Sequence, residues 1–122
     1  MASAWWNLGL RFMLELAALA GLGVAGWRTV PAPWNWLAVI ALPLGAAALW
    51  GVFNVPDDPS RSGAAPVPVP GLLRLLIEFV VLFGGVAAFA LAEYRTAAIV
   101  LAVLIAAHYA LSWDRIAWLL AR

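Results

Sequence analysis

LRFMLELAALAGLG, Leu10–Gly23, decides how the chain is read. It is apolar over most of a membrane crossing except for an arginine and a glutamate four residues apart, Arg11 and Glu15. A charge at the centre of a helix in lipid costs about 2.5–3.5 kcal/mol on insertion scales, so such a pair has to be offset by partners or by water. The arrangement recurs in LRLLIEFVVLFGG, Leu73–Gly85, which places Arg74 and Glu78 at the same spacing in a second apolar run. Leu10, Arg11, Glu15, Leu19, Gly21 and Ala25 fall on Leu73, Arg74, Glu78, Leu82, Gly84 and Ala88 without a gap.

Working outward from these runs, hydropathy marks four apolar segments, about 6–27, 36–53, 72–92 and 96–113, each near the ~20 residues a helix needs to cross the hydrocarbon. The chain is 66% hydrophobic and 11% charged, against about a quarter charged in ordinary soluble domains. A chain of 122 residues has too little core to hide that excess, so lipid is the expected solvent. The expected fold is all-α: an integral membrane four-helix bundle forming a single transmembrane domain over residues 1–122. RTVPAPWNW, Arg28–Trp36, breaks the first two segments apart with its prolines. NVPDDPSRSGAAPVPVP, Asn54–Pro70, is the longest polar stretch and reads as an extended, solvated linker. The connection around Glu93–Arg95 is so short that segments three and four must be antiparallel neighbours. A cleaved signal peptide would carry its positive charge ahead of the apolar core, whereas Arg11 lies within it, so the first segment is expected to stay as a span.

The repeat makes two tandem hairpins, 1–56 and 70–122, related by a pseudo-two-fold axis along the membrane normal. Arg11, Arg61, Arg74, Arg115 and Arg122 then share the side of the termini and the long linker, while Arg28 and Arg95 lie on the other. The positive-inside rule makes both termini cytoplasmic. Ala, Gly, Val and Arg usage without a single lysine points to a GC-rich bacterial genome, hence to a multi-pass protein of the bacterial inner membrane.

Spacing of i,i+4 lets each arginine pair with the glutamate of its own helix or reach across to the other copy. At 1.5 Å per residue, His108, Trp50 and Tyr109 fall at the depth of the glutamates, with Asn54 and Ser112 just nearer the water. The candidates for proton transfer are therefore Glu15, Glu78 and His108, and those for ligand binding Arg11, Arg74, Trp50, Asn54, Tyr109 and Ser112. His108 reads equally well as a hydrogen-bond donor to a neighbouring helix. Trp5, Trp6, Trp27, Trp34, Trp36, Trp113 and Trp118 fit interfacial belts, leaving Trp50 as the deep one. With no cysteine, one histidine and no HxxxH spacing, no metal site and no cofactor are expected. Without a basic cluster, nucleic acid is not an expected partner.

The expected activity is binding of a small or lipophilic ligand in a cytoplasm-side polar pocket, as in a carrier. Four helices are few for alternating access, so that reading calls for a homo-dimer as well as membrane lipid. An intramembrane acid–base enzyme of isomerase or cyclase type is an alternative, and a structural or accessory membrane subunit is another; the sequence does not decide whether the protein is an enzyme.

LRFMLELAALAGLG at the start, LWGVFNVPDDP closing the second segment, LRLLIEFVVLFGG, and AHYALSWDR near the end together resemble the YrdB-like family of small bacterial membrane proteins over essentially the whole chain. The best markers are the two glutamates and the Trp50, Gly51, Phe53 and Pro56 of the WGxFxxP stretch. The resemblance implies the four-helix membrane architecture. As a domain of unknown function, that family implies no catalytic residues.

Overall fold

The computed structural model describes residues 5–56, 58 and 65–122. In chain order it has α1 (Trp5–Thr29), α2 (Trp34–Val52), β1 (Phe53–Asn54), β2 (Val67–Pro68), α3 (Gly71–Leu91), α4 (Arg95–Leu111) and α5 (Trp113–Leu120). α1, α2 and α3 are each long and apolar enough to cross a membrane, and α4 with α5 passes the same test only as a broken pair bent by 70°. The protein is thus all-α in its bulk, with three candidate spans, or four if the bent pair is one.

Buried on α1 is a stripe of Asn7, Arg11, Leu14, Ala18, Gly21 and Ala25, with Gly23 and Gly26 buried beside it; on α3 the stripe is Gly71, Arg74, Glu78, Val81, Gly85 and Ala88, with Leu75 and Leu82 beside it. Both series advance by alternating steps of three and four, the 3.5-residue period of helices that stay in contact at a shallow crossing angle. The two stripes face each other. A Cβ on Gly85 would lie 2.5 Å from the Cα of Ala18, and one on Gly21 would lie 2.9 Å from the Gly85 carbonyl, so only glycine allows this approach. α2 packs on α1 and α4 on α3. Large apolar side chains such as Leu37, Ile40, Val80, Phe83, Ile99 and Val103 point outward. An apolar exterior around a partly polar interior is the inverse of a water-soluble domain.

The helix ends have local causes. Pro31 and Pro33 separate α1 from α2. α3 closes with Glu93 at φ 68; its N–H donates to Ala90 O at 3.1 Å, and the N–H of Tyr94 donates to Phe89 O at 2.8 Å, the paired bonds of a Schellman turn. The fourth apolar segment does not run on to residue 113 as expected. Ser112, at φ -106 and ψ 32, leaves the helical region, and α5 sets off at 70° with Arg115 and Leu119 buried.

The linker also differs from a fully solvated tether. Phe53 and Asn54 pair in parallel with Val67 and Pro68, and Val55 and Asp58 are buried at 3% and 2% exposure. The physical reason is the ion pair of Asp58 described below, which draws that stretch inward. Arg61 lies outside the described residues.

An arginine cluster around Glu78

Glu78 is completely buried on α3. Arg11 of α1 donates to its Oε1, Arg115 of α5 donates from Nη2 at 2.6 Å and from Nε at 3.1 Å, and Arg74 Nε, one turn back on α3, lies 3.7 Å away. Tyr109 of α4 donates its hydroxyl to Oε2 at 3.4 Å. One carboxylate thereby ties α1, α3, α4 and α5 together. Arg115 is shared, since its Nη1 and Nη2 also donate to the two oxygens of Asp58 at 2.7 and 2.9 Å. This two-pronged geometry fits the planar guanidinium fork.

Trp50 of α2 lies between the two repeat arginines. The Cζ of Arg11 is 5.1 Å and that of Arg74 4.9 Å from its ring centroid, within the range of cation–π attraction. Arg74 Nη1 donates to the carbonyls of Trp50 at 2.5 Å and Phe53 at 3.0 Å, using acceptors that the end of α2 leaves open. Asn54 donates to Gly51 O at 2.7 Å.

Glu15 is placed differently. Its side chain is 20% exposed and sits 3.6 Å from Arg11 Nε. With Trp50, Leu19, Ala47, Gly51 and Val81 it lines a cavity of about 110 Å³. Trp50 is 5% exposed, and its indole N–H finds no acceptor among the described residues; Arg11 Nη1 is in the same position. Two desolvated donors without an acceptor among the described residues are costly to bury.

A second polar chain runs beside the cluster. His108 Nδ1 lies 2.9 Å from Asn7 Oδ1, and Asn7 Nδ2 donates to Ser112 Oγ at 2.8 Å. With the Asn7 amide nitrogen turned to Ser112, its oxygen faces the ring, so His108 donates from Nδ1. The histidine therefore holds α4 to the start of α1.

Of the residues singled out in the sequence, the structure gathers Arg11, Arg74, Glu78, Trp50 and Tyr109 around one carboxylate. Glu15 stands at the rim, His108 and Ser112 join Asn7, and Asn54 caps α2. Sequence reasoning used Arg115 only for orientation and passed over Asp58 and Asn7. Asn7 carried a signal, because it stands one turn before Arg11 on the same helix face. Asp58 carried none, since its contact is made by a loop.

The chain matches the family profile described as "Protein of unknown function (DUF2568)" over residues 9–106. It is 42% identical over 114 residues to "Uncharacterized protein YrdB" of Bacillus subtilis, covering 93% of each chain. No solved structure matches it. The match reaches from the Arg11 turn to the helix that carries Tyr109, and the chain belongs to the DUF2568 family, the family of YrdB.

Proposed function

We propose that the protein is a small multi-pass membrane protein that binds a small or lipophilic ligand in the cavity at Glu15 and Trp50, in the manner of a carrier. The observation that carries this reading is a cavity of about 110 Å³ that the partly exposed Glu15 lines together with the deeply buried Trp50. The Glu78 cluster holds Arg11, whose guanidinium lies against the Trp50 ring, and Glu15 is the carboxylate that lines the cavity.

In the same reading the two halves form a four-helix bundle with pseudo-two-fold related inner helices, α1 and α3, and both termini cytoplasmic. Support comes from the paired stripes on those helices and from the excess of arginine toward one end. The acid–base alternative is weakened because the Glu78 carboxylate is completely buried and already accepts from Arg11, Arg115 and Tyr109. A purely structural role is favoured by one observation, the linkage of α1, α3, α4 and α5 through Glu78.

Native mass spectrometry of protein extracted from membranes separates the two. A bound small molecule released from the wild type and missing from Glu15→Gln and Trp50→Phe is the expected result. Protein that carries nothing, and whose thermal stability does not respond to lipid or metabolite extracts, would leave only the structural role.

A further inference from the structure

The bend after Ser112 carries the last helix across the direction of α4 instead of along it. From Trp113 to Leu120 the helix covers about 10 Å, and at 70° to α4 only about 3–4 Å of that is travelled along α4's own direction. Its eight residues are far short of the ~20 that a span requires. The two sides of this short helix differ. Arg115 is buried on Glu78 and Asp58, and Leu119 is buried with its carbonyl against Gly71, the first residue of α3. On the opposite side Trp113, Ile116, Ala117 and Leu120 follow at i, i+3, i+4 and i+7, none of them buried, within an arc of about 100°. Trp113 and Leu120 are 70% and 59% exposed.

Resting on the membrane reading above, we infer that this outer stripe seats α5 in the boundary between headgroups and acyl chains of the leaflet at which α3 begins, with phospholipid as its partner. Position is the first support. Because Leu119 meets Gly71, α5 lies at the level where the candidate span α3 starts, and the 70° bend lays it along that level. Composition is the second. Trp113 stands on the stripe, the partly exposed Trp118 carries Arg122 stacked on its ring at 4.5 Å, and Asp114 is exposed beside them; aromatic rings with charged neighbours suit a place that is apolar on one side and wet on the other. Area is the third. A stable protein partner needs about 800 Å² on each side, and four side chains led by one tryptophan of about 150–250 Å² fall short of it, whereas a lipid surface sets no such minimum. The same helix turns Arg115 inward, so lipid against its back holds that guanidinium on Glu78 and Asp58.

The test uses the whole protein in phosphatidylcholine liposomes, spin-labelled at single cysteines in a chain that has none of its own. Trp113→Cys, Ala117→Cys and Leu120→Cys report the stripe, Asp114→Cys and Arg122→Cys the positions off it, and Val100→Cys, exposed on α4, the hydrocarbon. Access to oxygen, which concentrates in lipid, against access to a water-soluble nickel chelate gives the depth of each label. The stripe labels should favour oxygen several-fold over the two off-stripe labels, and should share one depth to within ~4 Å, shallower than Val100. Nickel access at all five α5 positions, with Val100 still in oxygen, puts the stripe in water and overturns the lipid seat while the spans stand. Nickel access at Val100 as well overturns the membrane reading and the inference with it. Stripe labels shielded from both reagents and broadened by labels on neighbouring copies give the stripe to a second copy of the chain and overturn the lipid partner. Depths that advance by about 1.5 Å per residue from 113 to 120 make α5 the end of a span and overturn the in-plane helix.

Discussion

At Glu78 a single buried carboxylate meets Arg11, Arg74 and Arg115, so its removal strands buried positive charge. Breaking a buried pair in this way costs about 3–5 kcal/mol. Glu78→Gln is therefore expected to lower the thermal unfolding midpoint in detergent sharply. Glu15→Gln, at a partly exposed site, should cost no more than about 1 kcal/mol. Identical losses for the two glutamates would contradict the asymmetry. The sequence displayed both pairs as equals because a repeat records residue types and not which of them reaches across. Arg115 joined the cluster unannounced, for it lies beyond the bend between α4 and α5 and approaches from α5.

The asymmetry has its cause at the level of the helices. Carried through the repeat offset of 63, from Arg11 to Arg74, the α1 stripe of 7, 11, 14, 18 and 21 would predict 70, 74, 77, 81 and 84 on α3; the corresponding stripe there is instead 71, 74, 78, 81 and 85, with 75 and 82 also buried. The two stripes share every second position and differ by one residue at the others. That phase difference brings Glu78 onto the contact face and leaves Glu15 beside it, and it is why Gly85 meets Ala18 while Gly84 meets nothing. Helix existence and approximate ends were legible in hydropathy; phase was not, because a shift of one residue, about 100° on a helix, leaves the composition unchanged. Two changes test the elements. Gly71→Val would drive a side chain into the Leu119 carbonyl, so overpacking of about 1–3 kcal/mol should appear as faster hydrogen exchange across α5. Glu93→Gly relieves a left-handed residue at the end of α3, and a gain of about 1 kcal/mol is expected in the same unfolding measurement.

For the whole molecule, absence of native cysteine makes topology directly measurable. Ala121→Cys should react with a membrane-impermeant thiol reagent only from the cytoplasmic face, and Thr96→Cys only from the opposite one; the reverse pattern would invert the arginine-based orientation. The contact between Arg11 and Glu78 spans 67 residues, and that separation has a consequence for biogenesis. At about 5–20 residues per second, the ribosome takes roughly 3–13 s to deliver Glu78 after Arg11 has been made. On the membrane reading proposed above, the first hairpin enters the bilayer during that interval without its eventual partner. On that reading Glu15, one turn away on the same helix and 3.6 Å from Arg11, is the counter-charge that travels with Arg11 through insertion until the second hairpin arrives.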